Sequence, residues 1–156
     1  MSTEENKALV RRLIEEVWNQ GDLAVFDEIY ASDFIFHDPG LPQVRTREED
    51  KQWIAGVLSA FPDFHLTIED LIAEGDQVVV RLTARGTNIG DLGAPAPHPA
   101  TGKLATITGN VIARVANGQF VEIWHQVDWL GMFQQLGLIP APGQERSAPY
   151  PAAHRS

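Results

Sequence analysis

The stretch Val121 to Gly137, VEIWHQVDWLGMFQQLG, sets His125 and Asp128 into a run that is otherwise mostly apolar and aromatic. An imidazole and a carboxylate are the groups that general acid and base catalysis uses near neutral pH. Asn117-Gly118 just upstream is a strong hairpin signal, so the run reads as the second arm of a hairpin whose first arm is Leu104 to Val115. Alternation puts Ile123, His125 and Val127 on one face, and Glu122, Trp124, Gln126 and Asp128 on the other. One of His125 and Asp128 faces the interior and the other faces away. A second pair, His37-Asp38 in FHDP, ends a shorter apolar run, and only one of those two can enter the same interior. Asp38 before Pro39-Gly40 also suits a turn, and Asp128 before the next helix also suits an N-cap.

Other chemistries find less support. The chain has no cysteine, so thiolate ligands, thiol nucleophiles and disulfides are excluded. His37, Asp38, His65, His98 and His125 could in principle supply two histidines and a carboxylate, but no pair has helical metal-motif spacing, and no metal is expected. No G-x-G-x-x-G or Walker string occurs, so no nucleotide cofactor is expected either.

The positioning elements follow from periodicity. Ser2 with Glu5 forms a capping-box signature, and Leu9, Val10, Leu13, Ile14, Val17 and Trp18 keep helical spacing, which predicts a helix over Thr3 to Asn19. Asp22 caps a shorter helix, Leu23 to Tyr30, and Asp33 to Asp38 reads as a strand. Thr46 with Glu49 repeats the capping signature ahead of the stripe Trp53, Ile54, Val57, Leu58 and Phe61, and Pro62 closes that third helix. From Phe64 the period falls to two, giving a long hairpin around Glu74-Gly75-Asp76. Gly90 to Gly102 is rich in proline and glycine and reads as a loop over one end of the sheet, a common cover for a binding site. Residues 104–115 and 119–128 form the last hairpin, and Trp129 to Leu136 a terminal helix. Helix, helix, strand, helix and four strands, without a parallel crossover pattern, give an α+β fold with helices on one face of a curved antiparallel sheet. Residues 1–139 read as one domain, and 140–156, with four of the ten prolines, as a tail.

Length and charge bound the partners. A chain of 156 residues that is 44% hydrophobic can build one core with a small cavity. A net charge of −9 opposes nucleic acid and anionic membrane, which leaves a neutral or apolar small molecule as the expected ligand. No signal-peptide core and no membrane-length apolar run occur, so a cytoplasmic protein is the default expectation.

Several strings together resemble the SnoaL-like polyketide cyclases, also called predicted ester cyclases. They are NQGDL at 19–23, HDP at 37–39, AFPDF at 60–64, TIEDLIAEGDQVVVRLTARGT at 67–87, PATGK at 99–103 and VDWLGMFQQLG at 127–137. The resemblance covers roughly residues 5–138 and implies the cone-shaped α+β fold of nuclear transport factor 2, also called cystatin-like, shared with ketosteroid isomerase. In that cone the N-terminal helices pack on the concave face of the curved sheet and enclose a cavity. It also implies cofactor-independent acid/base catalysis beside a carbonyl, as in ring closure by intramolecular aldol condensation. The family's acid/base aspartate corresponds to His125, and its partner histidine to Val111. A histidine, with an ordinary pKa of about 6.5, can take and return a proton near neutrality. Ketosteroid isomerase places its general base at Asp38 and its two oxyanion donors at Ile14 and Val111.

The expected cavity thus holds the catalytic groups His125 and Asp38 within a wall of Trp18, Phe34, Phe36 and Trp53. Asn88 in GTNIG, at the mouth of the sheet, is a candidate for orienting a carbonyl, and Asp128 and His37 are further candidate ligand contacts. The leading expectation is an enzyme acting on a neutral, cyclic or aromatic carbonyl compound. A carrier or sensor sequestering an apolar molecule, ketosteroid-isomerase-like proton transfer, and an interaction domain are the alternatives. A homodimer or higher oligomer paired through the sheet is also expected.

Overall fold

The computed structural model describes residues 2–140 and Gly143; the rest of the expected proline-rich tail lies outside the described residues. Both capping boxes form. Ser2 Oγ accepts from Glu5 N–H at 3.1 Å and Glu5 Oε1 from Ser2 N–H at 3.2 Å, opening α1 (Thr3–Arg12). The helix runs on through Leu13–Trp18 with a wider pitch, closed by Asn19 N–H to Ile14 C=O at 3.0 Å. Such π-helical turns recur at functional sites, and here the turn buries Leu13, Ile14, Val17 and Trp18. Asp22 caps α2 (Leu23–Ile29), and Thr46 with Glu49 caps α3 (Arg47–Ala60).

The strands are β1 (Tyr30–His37), β2 (His65–Glu74), β3 (Gln77–Thr87), β4 (Leu104–Ala116) and β5 (Gln119–Val127), followed by α4 (Trp129–Gln135). Asn117 and Gly118 take φ of 52° and 74°, the two positive values a tight Asn-Gly hairpin turn requires. β2 to β5 form an antiparallel meander in the order β5-β4-β3-β2. β1 begins three residues before the expected Asp33, because Tyr30 is already extended rather than helical.

The sheet is mixed rather than wholly antiparallel, since β1 joins β5 in parallel with Phe36 opposite Ile123 and His37 opposite Trp124. A parallel pair needs a long crossover, and the whole of α3 and the β2–β4 meander supplies it. One consequence sets the chemistry. Continuing the parallel register by one residue brings Asp38, just past β1, beside His125. The α+β class itself is as the element order implies, with α1, its π-helical extension and α3 packed against the sheet around one apolar core.

Candidate active site

A cavity of about 110 Å³ opens inside that core, bounded by the π-helical segment, α3 and the inner face of the sheet. Ile123, His125 and Val127 all line it, so alternation along β5 resolves with His125 inward. Asp128 faces out and caps α4, its Oδ1 accepting from Gly131 N–H at 2.9 Å. It contributes nothing to the cavity wall, which corrects its candidacy as a ligand contact.

His125 is built as one half of a pair. Its Nδ1 lies 2.7 Å from Asp38 Oδ2, and the two side chains are 14% and 2% exposed. Asp38 Oδ1 accepts from Gly40 N–H at 2.7 Å, while Trp129 Nε1–H lies 3.1 Å from Oδ2 and 3.3 Å from Oδ1. Those donors saturate a carboxylate that would be costly to bury alone. They also aim it. With Asp38 accepting from Nδ1–H, the imidazole is held in one tautomer, and Nε2 is left as its acceptor nitrogen. Gly40 is required for close approach, because a Cβ there would meet Trp129 Cδ1 at 2.5 Å.

Aromatic rings enclose the imidazole. Its centroid lies 5.5 Å from Phe36, 5.7 Å from Trp53 and 6.2 Å from Trp129, and Trp18 packs edge-on to Trp53 at 5.6 Å. Trp18, Phe36 and Trp53 therefore stand where the sequence places them, in the cavity wall. Phe34 does not: it packs against Tyr30 at 4.6 Å in solid core, outside the wall expected of it. The Gly90–Gly102 loop does cover the cavity. Leu92 and Pro95 line it, and Trp53 Nε1–H reaches Ala94 C=O at 3.3 Å.

His37 and Asn88 are drawn elsewhere. His37 lies on the outer face, stacked on Trp124 at 5.4 Å, with Nε2 2.6 Å from Glu122 Oε2. Arg114 also pairs with Glu122 at 2.9 Å, and Arg114 first, then His37, holds the Glu122 carboxyl below its usual range. Asn88 is fully buried in the loop base, its Oδ1 accepting from Thr101 N–H at 2.9 Å and its amide donating to Gly90 C=O at 2.8 Å. Neither residue lines the cavity, and both make local hydrogen bonds. Ile14 and Val111 line the cavity as plain hydrocarbon.

Three groups escaped the sequence reading. Trp129 is the ring that clamps Asp38. Asp50, on α3, lines the cavity at 1% exposure with Oδ1 unpartnered among the described residues. Burial pushes its carboxyl up to about 8, an effect partly offset by Tyr30. Tyr30, also in the wall, has its own pKa raised by burial first and by Asp50 second. A signal existed: Asp50, Trp53, Ile54 and Val57 fall at i, i+3, i+4 and i+7, so an acid heads the apolar stripe of α3.

Among the described residues no three His, Asp or Glu side chains are grouped to hold a metal ion, and no helix is long and apolar enough to cross a membrane.

The chain belongs to the SnoaL-like polyketide cyclase family, whose sequence model matches residues 8–136. It is similar to the IdmH structure from Streptomyces antibioticus, provisionally described as a polyketide cyclase, at 31% identity and a TM-score of 0.71, covering 85% of this chain and 98% of that one. TsrD from Streptomyces laurentii is similar at 26% identity and a TM-score of 0.78, covering 89% and 99%. AclR from Streptomyces galilaeus, provisionally described as a hydroxylase, shares the fold at 24% identity and a TM-score of 0.78, covering 92% and 87%. No curated protein matches the chain.

Proposed function

We propose that this protein is a cofactor-independent enzyme in which His125 moves a proton at the carbon beside a carbonyl, as in intramolecular aldol ring closure. The single observation that carries the reading is the 2.7 Å bond from His125 Nδ1 to the buried Asp38, with the imidazole in the wall of an apolar cavity and Nε2 as its second nitrogen. Nε2 accepts the proton from the carbon acid, and Asp38 stabilises the imidazolium that forms without taking the proton itself. Asp38 touches the imidazole rather than the cavity, so it is a positioning residue and His125 the catalytic one. Phe36, Trp53 and Trp129 exclude water around the ring. The volume, about 110 Å³, suits a ligand portion about the size of one aromatic ring.

The test is hydrogen exchange in D2O, followed by proton NMR, over a panel of aryl β-keto esters and cyclic ketones. The wild type should speed exchange of the α-hydrogens of at least one compound, and His125→Ala should lose that acceleration while still binding it. Binding without exchange in the wild type would favour the carrier alternative.

A second copy of the chain is the proposed partner, pairing through the outer sheet face. Ile72, Val79, Ile112, Trp124 and His37 form one row across all five strands there, and Ile72 is 63% exposed. Ile112→Glu should then lower the sedimenting mass to that of a monomer; a wild type already monomeric at micromolar concentration would refute the pairing.

A further inference from the structure

We propose that Asp50 and Tyr30 form a carbonyl-anchoring site within the cavity, distinct from the His125–Asp38 pair, that takes the acceptor oxygen of a ring-sized ketone or ester. This rests on the carbonyl-ligand reading above, but not on proton transfer at His125.

The geometry comes first. Asp50 is 1% exposed, its Oδ1 has no partner among the described residues, and the residue forms part of the cavity wall. Buried polar atoms are nearly always satisfied, so an orphan on a cavity-lining residue marks the place of an absent partner. Tyr30, its ring packed against Phe26, Phe34 and Phe120, lines the same cavity as Asp50. A neutral carboxyl carries one O–H, and that O–H needs an acceptor. Burial favours the neutral form. The required ligand group is therefore a carbonyl oxygen, neither an ammonium nor a hydroxyl used as donor.

Placement along α3 supplies the span. Trp53 lies three residues beyond Asp50, an axial step of about 4.5 Å, and its ring is 5.7 Å from His125. A molecule one to two rings long can thus lie along the Trp53 face with its carbonyl at Asp50 and its other end at Nε2. Ile14 and Val111 offer no donor, so Asp50 supplies the only acid O–H in the wall among the described residues.

The probes are 1-indanone and indane, alike in shape and differing by one carbonyl, titrated against the full chain by quenching of tryptophan fluorescence. Wild type should bind 1-indanone about tenfold more tightly than indane, the worth of one buried hydrogen bond. Asp50→Leu should erase that preference, Asp50→Asn, which retains a donor, should keep it, and His125→Ala should keep it. In the infrared difference spectrum of the wild type, the protonated-carboxyl band should shift with 1-indanone and not with indane, and Asp50→Asn should lack the band. A preference that survives Asp50→Leu, one lost only in His125→Ala, an unmoved carboxyl band, or no binding of either probe overturns the proposal. Absence of hydrogen exchange alongside an intact preference would sink only the catalytic reading.

Discussion

Replacing Asp50 by asparagine should flatten the protein's stability between pH 6 and 9. The unfolded aspartate titrates near 3.8, whereas in the folded chain burial raises the same group to about 8. Over that interval the folded state holds a proton that the unfolded state lacks, so stability falls as pH rises. The contribution is fully present below 3.8 and is gone once pH has passed through the folded value. From pH 6 the loss accrues at about 1.4 kcal/mol per pH unit, halving in slope at the folded value, or about 2 kcal/mol in all by pH 8. For a domain of this size, about 2 kcal/mol corresponds to a Tm decrease on the order of 4–8 °C. The asparagine amide does not titrate, so the variant keeps only the slope of groups common to both proteins, the histidines among them. Tyr30 is raised, and an unfolded tyrosine ionises near pH 10, so it stays outside this window. Urea denaturation followed by circular dichroism at half-unit pH steps measures both curves. If the curves run parallel within about 0.5 kcal/mol, close to the extrapolation error of such data, Asp50 is ionised in the folded protein and the donor assigned to it does not exist.

Asp38→Asn should release the imidazole from its single tautomer, seen as a changed nitrogen-15 pattern for His125 by NMR, and should lower any α-hydrogen exchange by at least tenfold; an unchanged pattern would show that the 2.7 Å bond does not select the tautomer. Gly109→Ala places a Cβ 2.4 Å from Val127 Cγ1 and 2.9 Å from Gln126 C=O across the β4–β5 ladder. It should cost about 1–3 kcal/mol by overpacking, read as a lower urea midpoint, and an unchanged midpoint would contradict the packing described beside His125.

Local chemistry was readable in the chain. The capping signatures at Ser2 and Thr46, the Asn117-Gly118 turn and the alternation of Ile123, His125 and Val127 each depend on residues within a turn or a strand of one another. Such short-range rules carry their geometry with them. Candidate residues whose partners are distant fared differently. His37 and Asn88 looked like ligand contacts from their neighbours, but the fold sets both outside the cavity wall, His37 beside Glu122 and Asn88 beside Thr101. Asp50 was visible on the stripe of α3, yet only its burial in the tertiary core favours the neutral carboxyl.

By itself the sequence determined the α+β class and the two alternating faces that set His125 and Asp128 on opposite sides of one strand, because periodicity is a property of a single element. Only the tertiary structure decided that β1 runs parallel to β5, so that Asp38 meets His125 while Asp128 turns away to cap α4. Strand pairing is non-local. It follows from burying the apolar faces of the whole chain at once, and no window of residues around FHDP encodes which strand will lie beside it.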